Sequence, residues 1–111
     1  MIGKNIVNGV SSLVRSEKER SEKEYERFFH TAHEGYAIMK EEVEEAMHDS
    51  AGCERLVNDL WECVKKNNNG TAVMAAREIY RRASFLAMES IQVAAMAEKF
   101  IDSYPTWTGK E

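Results

Sequence analysis

Apolar residues recur every three or four positions along most of this chain, the spacing of one face of an α-helix. Ile2, Ile6, Val7, Val10, Leu13 and Val14 form such a face at the start. From Arg15 to Arg27 the pattern gives way to alternating Glu, Lys and Arg, with pairs such as Glu19 and Lys23 four apart in the favourable acid-first order. That run reads as a solvated helix face. Thr31-Ala32-His33-Glu34 has the form of a capping box, so the helix should break around Phe28–His30 and a second should begin near Ala32. Phe29 or His30 would supply the apolar contact that sets the entry angle. The second helix is expected to run to about His48. Asp49-Ser50-Ala51-Gly52 predicts a break, and a third helix follows over roughly Cys53 to Lys66. Asn67-Asn68-Asn69-Gly70 is the clearest loop signal. Thr71 then opens a long fourth helix that should end before Pro105, because the residue preceding proline resists helical geometry. The expected architecture is all-α: an antiparallel bundle of about four helices.

Composition narrows the class. A chain of 111 residues has room for one core and reads as a single domain. Hydrophobic residues at 43% and charged residues at 31% fit a globular protein rather than a disordered one. A single proline beside many Glu, Lys, Ala and Met favours helix throughout. The net charge of −4, with no isolated basic cluster, argues against nucleic-acid binding. No apolar stretch approaches the ~20 residues that span a bilayer, so no membrane is expected. The N-terminal apolar positions keep helical spacing, unlike the continuous core of a signal peptide. Cys53 and Cys63, on one helix, would lie about 15 Å apart along its axis, too far for a disulfide. A reducing cytoplasmic setting is the simple expectation.

Two segments carry acids in unlike settings. Lys40-Glu41-Glu42-Val43-Glu44-Glu45 crowds four carboxylates together, whereas Glu89 is the lone charge between Arg82 and Glu98 in an apolar run. A buried carboxylate requires a counter-charge or a proton, and a shared divalent cation would supply the former. Tyr36, Met39, Val43, Ala46 and Met47 form the stripe expected to face the core, and Ile38, Glu42, Glu45 and Asp49 the stripe beside it. Arg82, Phe85, Glu89, Gln92 and Met96 share a stripe on the last helix, so Glu89 and Gln92 offer two oxygens one turn apart. Such donors suit a hard cation, above all magnesium, with manganese as the alternative.

Glu41-Glu42-x-x-Glu45 on one helix, followed by Glu89-x-x-Gln92 on another, resembles the MazG-like all-α nucleotide pyrophosphohydrolases, which carry an E-E-x-x-E helix and a later E-x-x-D helix. The flanking words His33-Glu34-Gly35-Tyr36-Ala37 and Gln92-Val93-Ala94-Ala95-Met96-Ala97 look like small phage and bacterial members, and the likeness runs from about His33 to Ile101. The resemblance implies that Glu42, Glu45 and Glu89 are metal ligands and that Glu41 holds or activates water. It further implies hydrolysis of a nucleoside triphosphate to the monophosphate and pyrophosphate, by a dimer or tetramer. Gln92 departs from the pattern, since an amide oxygen brings no charge where the family has aspartate. The alternative is therefore a weak or inactive helical oligomer that binds a nucleotide or a protein partner.

Cationic side chains should complete a phosphate cradle: Arg82 first, then Lys40, Arg77 and Arg81. For Arg82 the plain reading is a salt bridge to Glu78. Glu45-Ala46-Met47-His48 is a Glu-x-x-His unit, but di-iron bundles need two copies. His33 reads as a cap residue bonding to backbone, and Cys53 and Cys63 lack the neighbours that zinc or thiol chemistry requires. Trp61 is expected to anchor a core or interface, and Trp107 to cover a neighbouring subunit. An alanine-rich run with Met88 and Met96 suggests a last helix covered nearly all round, which calls for self-association.

Overall fold

The computed structural model describes residues 3–107, so Ile2 of the N-terminal stripe lies outside the described residues. It is all-α, with helix α1 at Lys4–Glu24, α2 at Ala32–Lys65 and α3 at Asn69–Trp107. Among the described residues three helices thus replace the expected four. The predicted break at Asp49–Gly52 is absent, and α2 runs straight through it. Nothing in that tetrapeptide forbids a helix: it holds no proline, and an interior glycine costs only about 1 kcal/mol relative to alanine. Gly52 is buried, and a Cβ there would lie 3.0 Å from Arg82 Nη1 and 3.2 Å from Arg82 Cδ. The residue that read as a breaker is small because another helix lies against it.

Local signals set the other ends. Thr31 caps α2, its Oγ1 accepting from the Glu34 backbone N–H at 3.1 Å. At the far end Asn67 takes a left-handed φ of 55°, which asparagine tolerates better than most residues. The Asn68 N–H bonds to the Cys63 carbonyl at 2.9 Å and the Asn67 N–H to the Val64 carbonyl at 3.1 Å, the paired bonds of a Schellman termination. Asn68 then caps α3, its Oδ1 accepting from the Thr71 N–H at 3.3 Å. The loop is therefore shorter than expected, with Asn69 and Gly70 already helical.

The chain divides into two compact units: residues up to Val43 with those from Ser90 onward, and Glu44–Glu89. In the first, α1, the start of α2 and the end of α3 gather around Phe29, Ala95 and Met96, with Val14, Ile38, Met39, Phe100 and Trp107 packed against them. Phe29 sits in the connection between α1 and α2, yet is only 2% exposed. Side chains of α3 satisfy its backbone: Ser103 Oγ accepts from the Phe29 N–H and the Trp107 indole donates to the Phe29 carbonyl, both at 2.9 Å. These bonds explain why α3 continues through Pro105 instead of stopping before it. The proline removes one helical hydrogen bond, but Trp107 is held edge-on to Phe100, with ring centres 5.1 Å apart, and Thr106 Oγ1 donates to the Ser103 carbonyl. Trp107 thus packs within its own chain.

The expected core-facing stripe of α2 holds only in part: Met39 and Ala46 are half-buried, but Tyr36, Val43 and Met47 are exposed, while Gly35 is buried and Ile38 and Glu42, from the stripe beside it, are half-buried. The charged run of α1 is not simply solvated either. Ser21 is buried, and Lys18 reaches Asp102 on α3 at 2.6 Å as well as Glu22 at 3.0 Å.

The second unit is a helical hairpin formed by the end of α2 and the start of α3. Gly52, Leu56 and Leu60 lie on its half-closed seam, as do Ile79, Arg82 and Leu86. Cys53 and Cys63 are both on α2 as free thiols. No helix among the described residues is long and apolar enough to cross a membrane.

Candidate functional site

The first unit holds a cavity of about 570 Å³, of the size that receives small organic ligands. Glu42 and Gln92, from the two motifs, both line it. Glu17 of α1 lines the same cavity as Gln92, whose side-chain amide makes a minor contribution to lowering the pKa of the Glu17 carboxyl group. Arg20 binds the same carboxyl group, with its Nε 3.1 and 3.0 Å from the two Glu17 oxygens, and a second guanidinium nitrogen also reaches Oε1. The Arg20 hydrogen bonds, aided by the Gln92 amide and opposed by burial, hold the Glu17 carboxyl below its usual range. Glu24 also binds Arg20, so this cation is engaged on both sides.

Lys99 is the second cation of the cavity and is nearly closed off, at 4% exposure. Its ammonium lies 4.7 Å from the centre of the Phe29 ring and 3.3 Å from Ser21 Oγ. Burial pushes its pKa down, against the pull of Glu22, Glu34 and Glu26. Glu34 and Glu26 also line the cavity, the latter with its Oε2 2.6 Å from His30 Nε2. Acids therefore outnumber fixed cations around the space, whose aromatic wall comes from Tyr25, Phe28 and Phe29. Such a lining favours a ligand that is cationic or carries a cation with it.

The remaining motif residues are distributed unevenly. Lys40, Glu41 and Glu45 are exposed, and Glu89 is half-buried. Glu42 Oε2, Glu89 Oε2 and Arg82 Nε are each shut off from solvent. Arg82 lines a separate hollow of about 370 Å³ in the hairpin, with Arg55, Asp59 and Glu78. The expected Arg82–Glu78 bridge is not the one formed: Arg81 takes Glu78 at 2.9 Å, and Arg82 points its Nη1 to Asp49 at 3.7 Å. The reason lies in the seam, since Arg82 turns inward over Gly52 while Arg81 stays on the outer surface.

Sequence reasoning missed Glu17, Arg20, Ser21 and Lys99. The α1 residues sit in a run that reads as solvated surface, and Lys99 follows Glu98 in an ordinary polar pair. The available clue was Ser21, the lone uncharged polar residue amid charges on one helical stripe with Val14, Glu17 and Lys18. Within the first unit Glu42 and Gln92 offer oxygen donors of the type a hard divalent cation takes. Comparison of the chain with profiles of known protein families, with characterised proteins and with solved structures finds no match.

Proposed function

We propose that this chain is a MazG-like, magnesium-dependent nucleoside triphosphate pyrophosphohydrolase working as a homo-oligomer, with manganese as an alternative ion. The observation that carries the reading is burial at the motif positions. Glu42 and Glu89, which the resemblance makes metal ligands, each withdraw a carboxylate oxygen from solvent, whereas their neighbours Glu41, Glu44 and Glu45 are exposed. Carboxylate oxygens shielded from bulk water are hard donors of the kind a divalent cation takes.

In this reading, which takes its ligand set from the resemblance, Glu42, Glu45 and Glu89 would hold the ion, and the chemistry it would supply is neutralisation of phosphate charge and activation of water. Glu41, exposed and adjacent, takes the proton of that water on a carboxylate oxygen. Lys40 and Arg82 contribute positive charge toward the phosphates. Gln92 would supply a neutral oxygen, and it shares the lining of the first unit's cavity with Glu17 of α1. That last observation favours a second reading, a non-catalytic oligomer that uses the cavity to bind a nucleotide or a protein segment.

Pyrophosphate release from a panel of triphosphates with magnesium or manganese separates the two. Turnover that Glu89→Ala abolishes, with helicity retained, supports the enzyme; silence toward every nucleotide refutes it. Calorimetric titration of Gln92→Asp with magnesium provides a readout independent of turnover. A carboxylate there should tighten binding by several-fold, and an unchanged affinity removes Gln92 from the proposed ligand set.

A further inference from the structure

Lys99 is a primary amine held where an ammonium is unfavourable. It is 4% exposed on the wall of the 570 Å³ cavity, with its nitrogen over the Phe29 ring and 3.3 Å from Ser21 Oγ. Phe29 and Met96 are buried beside it and line the same space, so this end of the cavity is a closed, largely apolar floor. The other end opens outward, because Tyr25, Glu26 and His30 of the lining are exposed. A small molecule that enters past Tyr25 meets the Lys99 nitrogen at the bottom.

Packing alone does not call for an amine at this place. An uncharged side chain of similar length, such as methionine, fills the same space without stripping a cation of water. What the amine adds is reactivity. Burial lowers its affinity for a proton, and the neutral amine is the nucleophilic form. Of ordinary exposed lysines only about one in 2,500 is neutral at pH 7. The surroundings also favour a cation once one is formed there. Glu22 on α1, Glu34 on α2 and Glu26 in the connection between them all attract positive charge at this nitrogen. A group that reacts as a neutral amine and ends as a cation meets both conditions, and condensation with a carbonyl compound is that reaction.

We propose that Lys99 is the nucleophile of a carbonyl-capture site, in which the cavity admits a small uncharged or cationic aldehyde and the Lys99 nitrogen condenses with it to a Schiff base. The nitrogen lone pair forms the C–N bond as the C=O π pair moves to oxygen. That oxygen takes up two protons, equal in number to those the amine gives up, and leaves as water while the C=N bond closes. One aldehyde and one neutral amine thus give one imine and one water, with nothing oxidised or reduced. A proton from solvent then makes the imine a cation. Its single N–H can donate to Ser21 Oγ as the ammonium does, and the Phe29 ring and the three acids stabilise its charge. The site uses neither a metal nor a triphosphate, so it stands or falls separately from the hydrolase reading.

Benzaldehyde with sodium cyanoborohydride at neutral pH tests it on the full chain. The hydride fixes each imine as a secondary amine, and peptide mass mapping locates it. Lys99 should gain the benzyl group at least tenfold faster than the exposed Lys23 and Lys66, and unfolding in guanidinium chloride should erase that lead. 4-Carboxybenzaldehyde, an anion of similar size, should show little of the preference, because the acids repel it. Lys99→Arg keeps a charge near Phe29 but cannot condense, so it should lose the fast adduct and retain the slow ones. The proposal is overturned by Lys99 staying unlabelled while Lys23 and Lys66 react, by equal rates at Lys99 in the folded and unfolded chain, or by an equal preference for Lys99 from the two aldehydes.

Discussion

Two glycines inside helices should respond oppositely to the same substitution. Gly9 of α1 has open space where a Cβ would stand. At Gly35 of α2 a Cβ would lie 2.5 Å from Phe100 Cδ2 and 2.9 Å from Phe29 Cδ2. Alanine improves helix propensity by about 1 kcal/mol at both positions. At Gly9 nothing opposes that gain, so Gly9→Ala should stabilise by about 0.5–1 kcal/mol. At Gly35 both obstructing atoms belong to rings that cannot simply swing away. Phe29 is 2% exposed with its backbone tied to Ser103 and Trp107, and Phe100 is edge-packed on Trp107. Overpacking of this kind costs about 1–3 kcal/mol, and two rigid contacts put it at the upper end. Subtracting the propensity gain leaves Gly35→Ala destabilised by about 2 kcal/mol, so the two variants should differ by roughly 3 kcal/mol. Urea unfolding followed by far-ultraviolet circular dichroism, at one fixed protein concentration so that assembly contributes equally, measures the difference. Equal shifts at the two glycines would refute the close approach of α2 to the Phe29–Phe100 pair.

Ser103→Ala leaves the buried Phe29 N–H without its acceptor and should cost about 1–3 kcal/mol in the same assay; a change within a few tenths would show that the bond carries little. Lys99 gives a pH signature. Because burial lowers its pKa, the unfolded chain binds the extra proton between the depressed value and the ordinary 10.5. Wild-type stability should therefore rise with pH through that window relative to Lys99→Met, the penalty of the buried charge being present in full below it. Unfolding both proteins at neutral pH and near pH 10 checks the sign, and parallel curves would contradict it.

Residues near one another in the chain made much of the fold legible before any coordinates. Thr31 as a cap, the Asn67–Asn68 turn and the all-α class rest on interactions within a few positions, and the sequence contains both partners. Glu89 also stands out by its apolar context alone, and the burial of one of its oxygens is consistent with that contrast, whereas nothing local separates the half-buried Glu42 from the exposed Glu45.

What tertiary structure decided lies where a distant residue outvoted a local preference. Gly52 reads as a breaker until Arg82 is laid across it, and Pro105 reads as a stop until Trp107 is bonded to Phe29. Arg15–Arg27 looks solvated until α3 supplies Asp102, Lys99 and Gln92 to its inner side. Helix periodicity fixes which residues share a face but not which way that face turns, because a rotation of one residue changes its neighbours without changing its spacing. The lining of the cavity, with Glu17 and Gln92 on one space, therefore had to come from the packing of three helices.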